Sequence, residues 1–476
     1  MTQYFMNIMH VLIFIAITKR RIVTMKRTLA LILAATMALS AMAGCGESSA
    51  PAASTPNSTT ESSTAPAPNA AEKYEVTEPV TIEFWHAVEE QYRSVLEGIV
   101  DDFEKQNPNI TVECLYQGSY ADINEKFLAA NTAGGSEMPS LLVVNGPALT
   151  AYAENGIIEP LDTYITDTSF PIEDFAAGMV EAYKRDSQQF GLPFLNSAYV
   201  WFYNKTITDA EGITMPKTWD EIDAFMQKAA KPTLGADGFP ERYAAAFGGW
   251  DAFYFESLMW NNGVKIINDD GKTTGINSPK AVEMSEQFQK WCNANQAKWC
   301  YGKGASGDMR QAFLDGKMVS VMHTSSMYGT YKKADFELGV IFPPKGSEKG
   351  ISEIGGCCLA IPASVDQAKK NAAWKLMKFL TEPENNMKMV EVTGYLPTRP
   401  STIDSDIGKA FLEKNPALTD LYANLNNIYP QNTNPALDDM MTKWETHLAK
   451  AINEKGNMQE ELKAAEVEIN EILADQ

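Results

Sequence analysis

Asp251 and Glu256 lie close enough in sequence to offer the acid and base that a glycosidase needs. In a chain with 61 Asp+Glu, however, such spacing arises by chance, and surface carboxylates explain the pair better. The 4 histidines form no HExxH, HxH or Cys/His cluster, so no metal site is expected. There is no GxSxG elbow and no Walker loop, and the lone Gly-Gly pairs read as turn or close-approach positions. Beyond Cys45 come Cys114, Cys292, Cys300, Cys357 and Cys358, an odd set without a metal-type CxxC pair. Cys292 and Cys300 either join, as an exported protein permits, or stay as buried free thiols in a tryptophan-flanked amphipathic segment. Cys357-Cys358 reads as small strand residues. No catalytic residue and no cofactor is expected.

Cys45 has a different chemistry. It closes MKRTLALILAATMALSAMAGC (Met25 to Cys45), where Lys26 and Arg27 give a positive start, Leu29 to Leu39 an apolar run too short to span a bilayer, and Ala43-Gly44 a small-residue cleavage site. The segment resembles a bacterial lipoprotein signal, with Met42 where Leu is commoner, and implies lipidation of Cys45. Met25 alone opens a complete signal, so residues 1–24, with their short apolar patch Val11 to Ile17, read as an upstream extension. Residues 1–44 hold five basic and no acidic residues, so without them the net charge falls from −21 to −26. Nucleic acid is thereby excluded as a partner, and membrane attachment is expected through the lipid only. Gly46 to Ala71 has no large apolar residue and reads as a flexible tether. The folded part begins near Tyr74; about 400 residues then remain, more than one core usually supports, so two lobes are expected.

These chemical groups need elements to hold them. Val80, Ile82 and Phe84 alternate as a half-buried strand, followed by a helix with Tyr92, Leu96, Ile99 and Phe103 on one face and a stop at Asn107-Pro108. Ile110 to Tyr116 and Leu141 to Val144 read as strands, Tyr120 to Ala133 and Leu149 to Asn155 as helices. This β-α order implies a doubly wound sheet. Tyr199 to Tyr203 begins a second αβ unit, with Thr218 capping the helix Trp219 to Ala229. Then come helices from Ser278 to Asn293 and Met309 to Asp315, strands from Met318 to His323 and Gly339 to Phe342, and Leu359 to Ile361 leading into the helix Ala368 to Leu380. Met440, Trp444, Leu448 and Ile452 share a helical face, with Leu462, Val467, Ile469 and Ile472 in a later apolar pattern. Trp260, Trp374 and Trp444 are read as core. No solenoid-period repeat is present.

Several pieces run in a fixed order along residues 78–476: VTIEFWH at 80–86, FEKQNPNITVE at 103–113, QGSYADINEKFLAA at 117–130, NGIIEPLD at 155–162, LPFLNSAYVWFYNK at 192–205, PKTWDEI at 216–222, GGCCLAIPAS at 355–364 and WKLMKFLTEPENNMKMVEVTGYLPTRP at 374–400. The series resembles the family 1 extracellular solute-binding proteins, the sugar-capturing subunits of ATP-driven (ABC) importers. The resemblance is nearest to the glycerol-3-phosphate-binding subgroup, whose ligand residues map onto Tyr120, Asn196, Ser326, Gly356 and Tyr395. Asn145-Gly146 stands where that subgroup has an acidic residue, and NTNPALDDMM lacks its phosphate-meeting arginine, which weakens a phosphate ligand. Arg399 either substitutes for that arginine or is a solvated loop charge before Pro400.

The resemblance implies an α/β, two-lobed, type II periplasmic-binding-protein-like fold with doubly wound sheets, a hinge and an interlobe ligand cleft. The expected organisation is an extension and signal peptide (1–44, signal 25–44), lipidated Cys45 and linker (45–73), an N-terminal lobe (74–195 and 358–402) and a C-terminal lobe (196–357 and 403–476). Chain crossings are expected near Phe194 to Ser197 and Gly355 to Leu359. At such a cleft aromatic rings suit the C–H face of a sugar. Trp85, Tyr120, Trp250 and Tyr395 are therefore candidate wall contacts, each weighed against a packing role. For Trp250, the flanking Gly248-Gly249 and Asp251 favour an exposed loop. His86 is a candidate hydrogen-bond donor. The expected protein is a monomeric, non-catalytic receptor on the outer face of the cell membrane that hands a carbohydrate to permease subunits. The alternatives are a glycerol-3-phosphate or glycerophosphodiester receptor and, more remotely, a surface-anchored glycan hydrolase.

Overall fold

Strand β1 (Val80–His86) buries Ile82 and Phe84 on one face while Thr81 meets solvent. The helix Glu90–Gln106 that follows buries Leu96, Ile99, Val100 and Phe103 and ends at Asn107, whose N–H turns back to the carbonyls of Phe103 and Glu104. Pro108 cannot extend the helix. The chain returns as β2 (Ile110–Tyr116), parallel to β1 from Val80↔Ile110 to His86↔Tyr116, and β3 (Leu141–Val144) joins β1 on its other side. The computed structural model describes residues 72–134, 137–236, 238–430, 434 and 436–475. The signal, Cys45 and the tether through residue 71 lie outside the described residues.

The remaining strands are a hairpin of β4 (Lys184–Arg185) and β5 (Gln188–Gln189), then β6 (Leu192–Asn204), β7 (Lys231–Leu234), β8 (Pro240–Gly248), β9 (Ala297–Cys300), β10 (Met318–Thr324), β11 (Leu338–Ile341), β12 (Ser352–Ala360) and β13 (Ile428–Tyr429). Apart from the hairpin they form one 11-stranded sheet, with main path β2-β1-β3-β12-β6-β10-β8-β7. The 13-residue β6 changes neighbours along its length. Leu192 to Ala198 pairs antiparallel with β12, whereas Tyr199 to Asn204 pairs with β10 and β11.

Two apolar cores flank this change of partner. One gathers Phe84, Phe103, Phe127 and Trp374; the other gathers Trp201, Phe247, Trp291 and Trp444. Trp250 is half-buried and packs against both. Gly356 lets β12 approach β6: its φ is +89°, and a Cβ there would lie 1.9 Å from the Leu195 carbonyl oxygen.

Local signals account for many boundaries. Glu221 accepts the N–H groups of Lys217 and Thr218 at the start of Trp219–Ala229, and Ser278 caps Pro279–Asn293. Elsewhere the structure departs from the sequence reading. The segment holding Cys292 and Cys300 is not one amphipathic element: Cys292 ends a helix, Cys300 lies on β9, and both are free thiols. Trp260 is half-buried, with the Lys349 ammonium 4.4 Å from its ring centroid, so it caps an edge rather than filling a core. Val467 is 50% exposed, because the helix Met458–Ala474 turns Leu462, Ala465 and Ile469 inward instead.

Candidate ligand-binding site

A cavity of about 300 Å³ opens where the antiparallel pair β6 and β12 crosses between the two cores, with Ser197 of β6 and Ile354, Gly355 and Gly356 of β12 in its wall. Around it stand the starts and ends of elements from both sides of the sheet. Tyr120 opens the helix Tyr120–Thr132, whose first turn is held by a reciprocal cap: Ser119 Oγ accepts the Asp122 N–H and the Asp122 carboxylate accepts the Ser119 N–H. Asn145 and Gly146 follow β3 and begin the helix Gly146–Glu154. Thr324 ends β10 and Ser326 follows it, their hydroxyls 3.1 Å apart. The turn after β8 supplies Asp251, Phe253 and Tyr254.

Tyr395 completes this wall opposite Tyr120, the two hydroxyls 3.5 Å apart. Its position is fixed by the next residue, since the Leu396 N–H donates to the Asn196 carbonyl at 2.7 Å. Burial raises both phenols above their ordinary pKa, so each stays a neutral donor and acceptor at neutral pH. Asp251 accepts the Phe253 N–H at 3.0 Å and has no ion-pair partner among the described residues. Asp251 is exposed towards the cavity, yet the protein packed around it raises its carboxyl above its ordinary value. No Lys, Arg or His is among the described residues lining this cavity.

Tyr120, Ser326 and Tyr395 also line an adjoining compartment of about 280 Å³. Its walls are mostly apolar, including Val88, Leu195 and Met327, with Glu89 at the exposed side. Arg310 is its single cation among the described lining residues; Nη1 lies 3.8 Å from Met327 Sδ and no carboxylate pairs with it.

Of the residues singled out in the sequence, Tyr120, Asn145, Ser326, Gly356 and Tyr395 line the main cavity. Asn196 sits directly behind it, fully buried, its amide donating to Tyr183 Oη at 2.6 Å and to the Gly355 carbonyl at 3.3 Å. Trp250 stands behind Tyr254, ring centroids 5.1 Å apart. Trp85 is packed in the first core. His86 is 2% exposed and accepts the Val88 N–H; burial, helped by Arg93, holds its pKa down to about 4, so it is neutral. Arg399 lies 7% exposed among Phe170, Phe175, Asp174 and the Thr381 carbonyl, away from both compartments. Tyr183, Ser197, Phe253, Tyr254 and Thr324 were not singled out. Only the turn after β8 carried a signal, the Gly248-Gly249-Trp250-Asp251 run; the others are ordinary strand and helix-end residues.

Glu256, the other carboxyl of the sequence pair, faces away from the cavity. Both Glu256 and Glu353 are buried, and no hydrogen bond reaches either Glu353 carboxyl oxygen among the described residues. Desolvation pushes both carboxyls up, and raises Glu445, which accepts the Ala252 N–H at 2.7 Å, to about 8.

A two-core α/β chain with a polar, aromatic-walled cavity at its strand crossing has the form of a solute receptor. The chain belongs to the bacterial extracellular solute-binding protein family, whose match spans residues 98–420. It is similar to the sn-glycerol-3-phosphate-binding periplasmic protein UgpB of Pectobacterium atrosepticum, with 25% identity over 353 residues, 70% of this chain and 77% of that one. A putative binding protein of Brucella abortus is 26% identical over 309 residues, 63% of this chain and 72% of that one. Two solved structures share the fold at a TM-score of 0.72 and 20% identity, each covering 83% of this chain and 98% of its own. They are UgpB of Mycobacterium tuberculosis in complex with glycerophosphocholine and the sugar-binding protein MalE of Xanthomonas citri.

Proposed function

We propose that this protein is a non-catalytic receptor that captures a carbohydrate outside the cell and delivers it to the permease of an ABC importer. The observation that carries the reading is the cavity at the β6–β12 crossing, where tyrosine and phenylalanine faces alternate with hydroxyls, an amide and backbone groups. A sugar needs both: apolar surface for its C–H face and fixed donors and acceptors for its hydroxyls. Placement of Glu256 away from the cavity supports binding over glycan hydrolysis, since no second carboxyl is among the described residues lining the cavity with Asp251. The lobes are 74–195 with 358–402 and 196–357 with 403–476, closing over the solute by rotation about the crossing strands. Lipid on Cys45 tethers the monomer to the outer membrane face.

A second reading has its own observation. Arg310, unpaired in the adjoining compartment, would suit the phosphate of a glycerol phosphate or glycerophosphodiester. Thermal unfolding of the protein with mono- and oligosaccharides, glycerol-3-phosphate and glycerophosphodiesters separates the two. A ligand at 100 times its Kd adds about 2.7 kcal/mol of stability. A shift with neutral or amino sugars supports the carbohydrate reading; a shift with phosphates alone replaces it with the second.

A further inference from the structure

The main cavity holds one carboxyl in its wall, Asp251, and no cation among the described lining residues to balance it. Asp251 lines the cavity, and the carboxyls of Glu256, Glu445 and Asp438 stand within electrostatic range, with Glu353 beside Glu256. None of these five has a basic partner within ion-pair distance among the described residues. The basic group nearest in the site, Arg310, lines the other compartment. Burial favours the neutral form of Glu256, Glu353 and Glu445, so the charge in the cavity wall that no cation answers is that of Asp251. Beside Asp251 stand the rings of Phe253 and Tyr254, centroids 5.4 Å apart and near perpendicular, so that two π systems and a carboxylate face one space. Rings and a carboxylate together favour a cation over a neutral hydroxyl.

Building on the carbohydrate reading, we infer that the solute is an amino sugar whose ammonium group sits against Asp251 beside Phe253 and Tyr254. The ammonium donates to the free carboxylate oxygen, while Ser197, Ser326 and Asn145 remain for the sugar hydroxyls. N-acetylation would remove the charge and with it the preference. Binding would also lower the proton affinity of the carboxyls behind Asp251, so capture of the cation releases protons.

Pairs of sugars differing only in one amino group test the inference: glucose and glucosamine, galactose and galactosamine, cellobiose and its diamino counterpart, with the N-acetyl forms as neutral controls. Calorimetric titration of the protein, at a pH where the amine is charged, is expected to show the amino member of at least one pair binding tenfold or more tighter than its neutral member, as a charge-assisted hydrogen bond gives roughly this much. Asp251→Asn is expected to erase that difference, bringing the amino member down to the affinity of its neutral partner in the same variant, while the unfolding temperature stays within a few degrees of the parent. Neutral members binding as tightly as amino members would overturn the inference and leave the carbohydrate reading standing. Glycerol phosphates binding while no sugar binds would overturn both.

Discussion

The side-chain amide of Asn196 donates to the Tyr183 hydroxyl at 2.6 Å, so a residue with no surface of its own in the cavity fixes one that has. Both groups are buried, and the same amide reaches the Gly355 carbonyl on the neighbouring strand. Asn196→Leu would leave the Tyr183 hydroxyl unpaired at a cost of about 1–3 kcal/mol. Urea unfolding is expected to show that loss, and titration with the bound solute a weaker affinity. A variant with parental stability would mean that water replaces the amide.

Trp250 supports Tyr254 from behind and lies 5.9 Å from the His323 ring. Trp250→Ala removes half-buried aromatic surface, and a stability loss of about 2–4 kcal/mol is expected, near the lower part of the range for buried tryptophan. Affinity should fall with it, because Tyr254 loses its backing. Trp250→Phe should recover most of both. Undiminished affinity in the alanine variant would remove Trp250 from the binding machinery.

Gly356→Ala forces a Cβ to 1.9 Å from the Leu195 carbonyl oxygen at a φ of +89°. Neither can be relieved without parting β12 from β6, so the expected result is loss of soluble protein or a fall in unfolding temperature of many degrees. Wild-type melting behaviour would show that the strands can shift freely at this point.

Stability should peak in mildly acidic solution. Burial raises Glu445 to about 8 and pushes Glu256 and Glu353 up as well, all above the unfolded value near ~4.3. The folded state therefore holds more protons than the unfolded one, and stability declines as pH rises from about 4.3 towards about 8. His323 and His86 work in the other direction. Burial holds them down to about 3 and about 4, below the unfolded ~6.5, so stability is lost as pH falls from there through those values. Unfolding midpoints measured from pH 4 to pH 9 should trace this arch, and Glu445→Gln should flatten its alkaline side.

With the proposed lipid on Cys45 as the membrane hold, Cys45→Ser is expected to move the protein from the membrane fraction to the soluble one, since no helix among the described residues is long and apolar enough to cross a membrane. Retention in the membrane fraction would require another attachment.

Residues with a periodic environment were legible in the sequence. Ile82 and Phe84 meet the core every second residue, Leu96, Ile99 and Phe103 every third or fourth, and both patterns follow from strand and helix geometry. The strand β6 was read only from Tyr199. It is buried on both faces along nearly its whole length, but only the part from Tyr199 has the aromatic and β-branched composition of a strand, whereas Leu192 to Ala198 is interrupted by Pro193, Asn196 and Ser197. β8 escaped because it does not alternate, with Ala244, Ala245, Ala246 and Phe247 all inside. Tyr120 and Tyr395 could be placed through the family motifs that hold them, GSY and TGYLP. Tyr183 and Ser197 carry no local mark, since they reach the cavity through the packing of Asn196 and the crossing of two strands, which no neighbouring residue encodes.

That crossing limits how the chain can be taken apart. Thirteen residues of β6 complete the sheet on both sides, giving Leu192 to Ala198 to one and Tyr199 to Asn204 to the other. A fragment that stops before Leu192 lacks the strand that β12 needs, and one that starts after Ala198 strips the same partner from the first core. The two apolar cores can be told apart by eye but not parted by scissors, and either core would need a borrowed strand to stand alone.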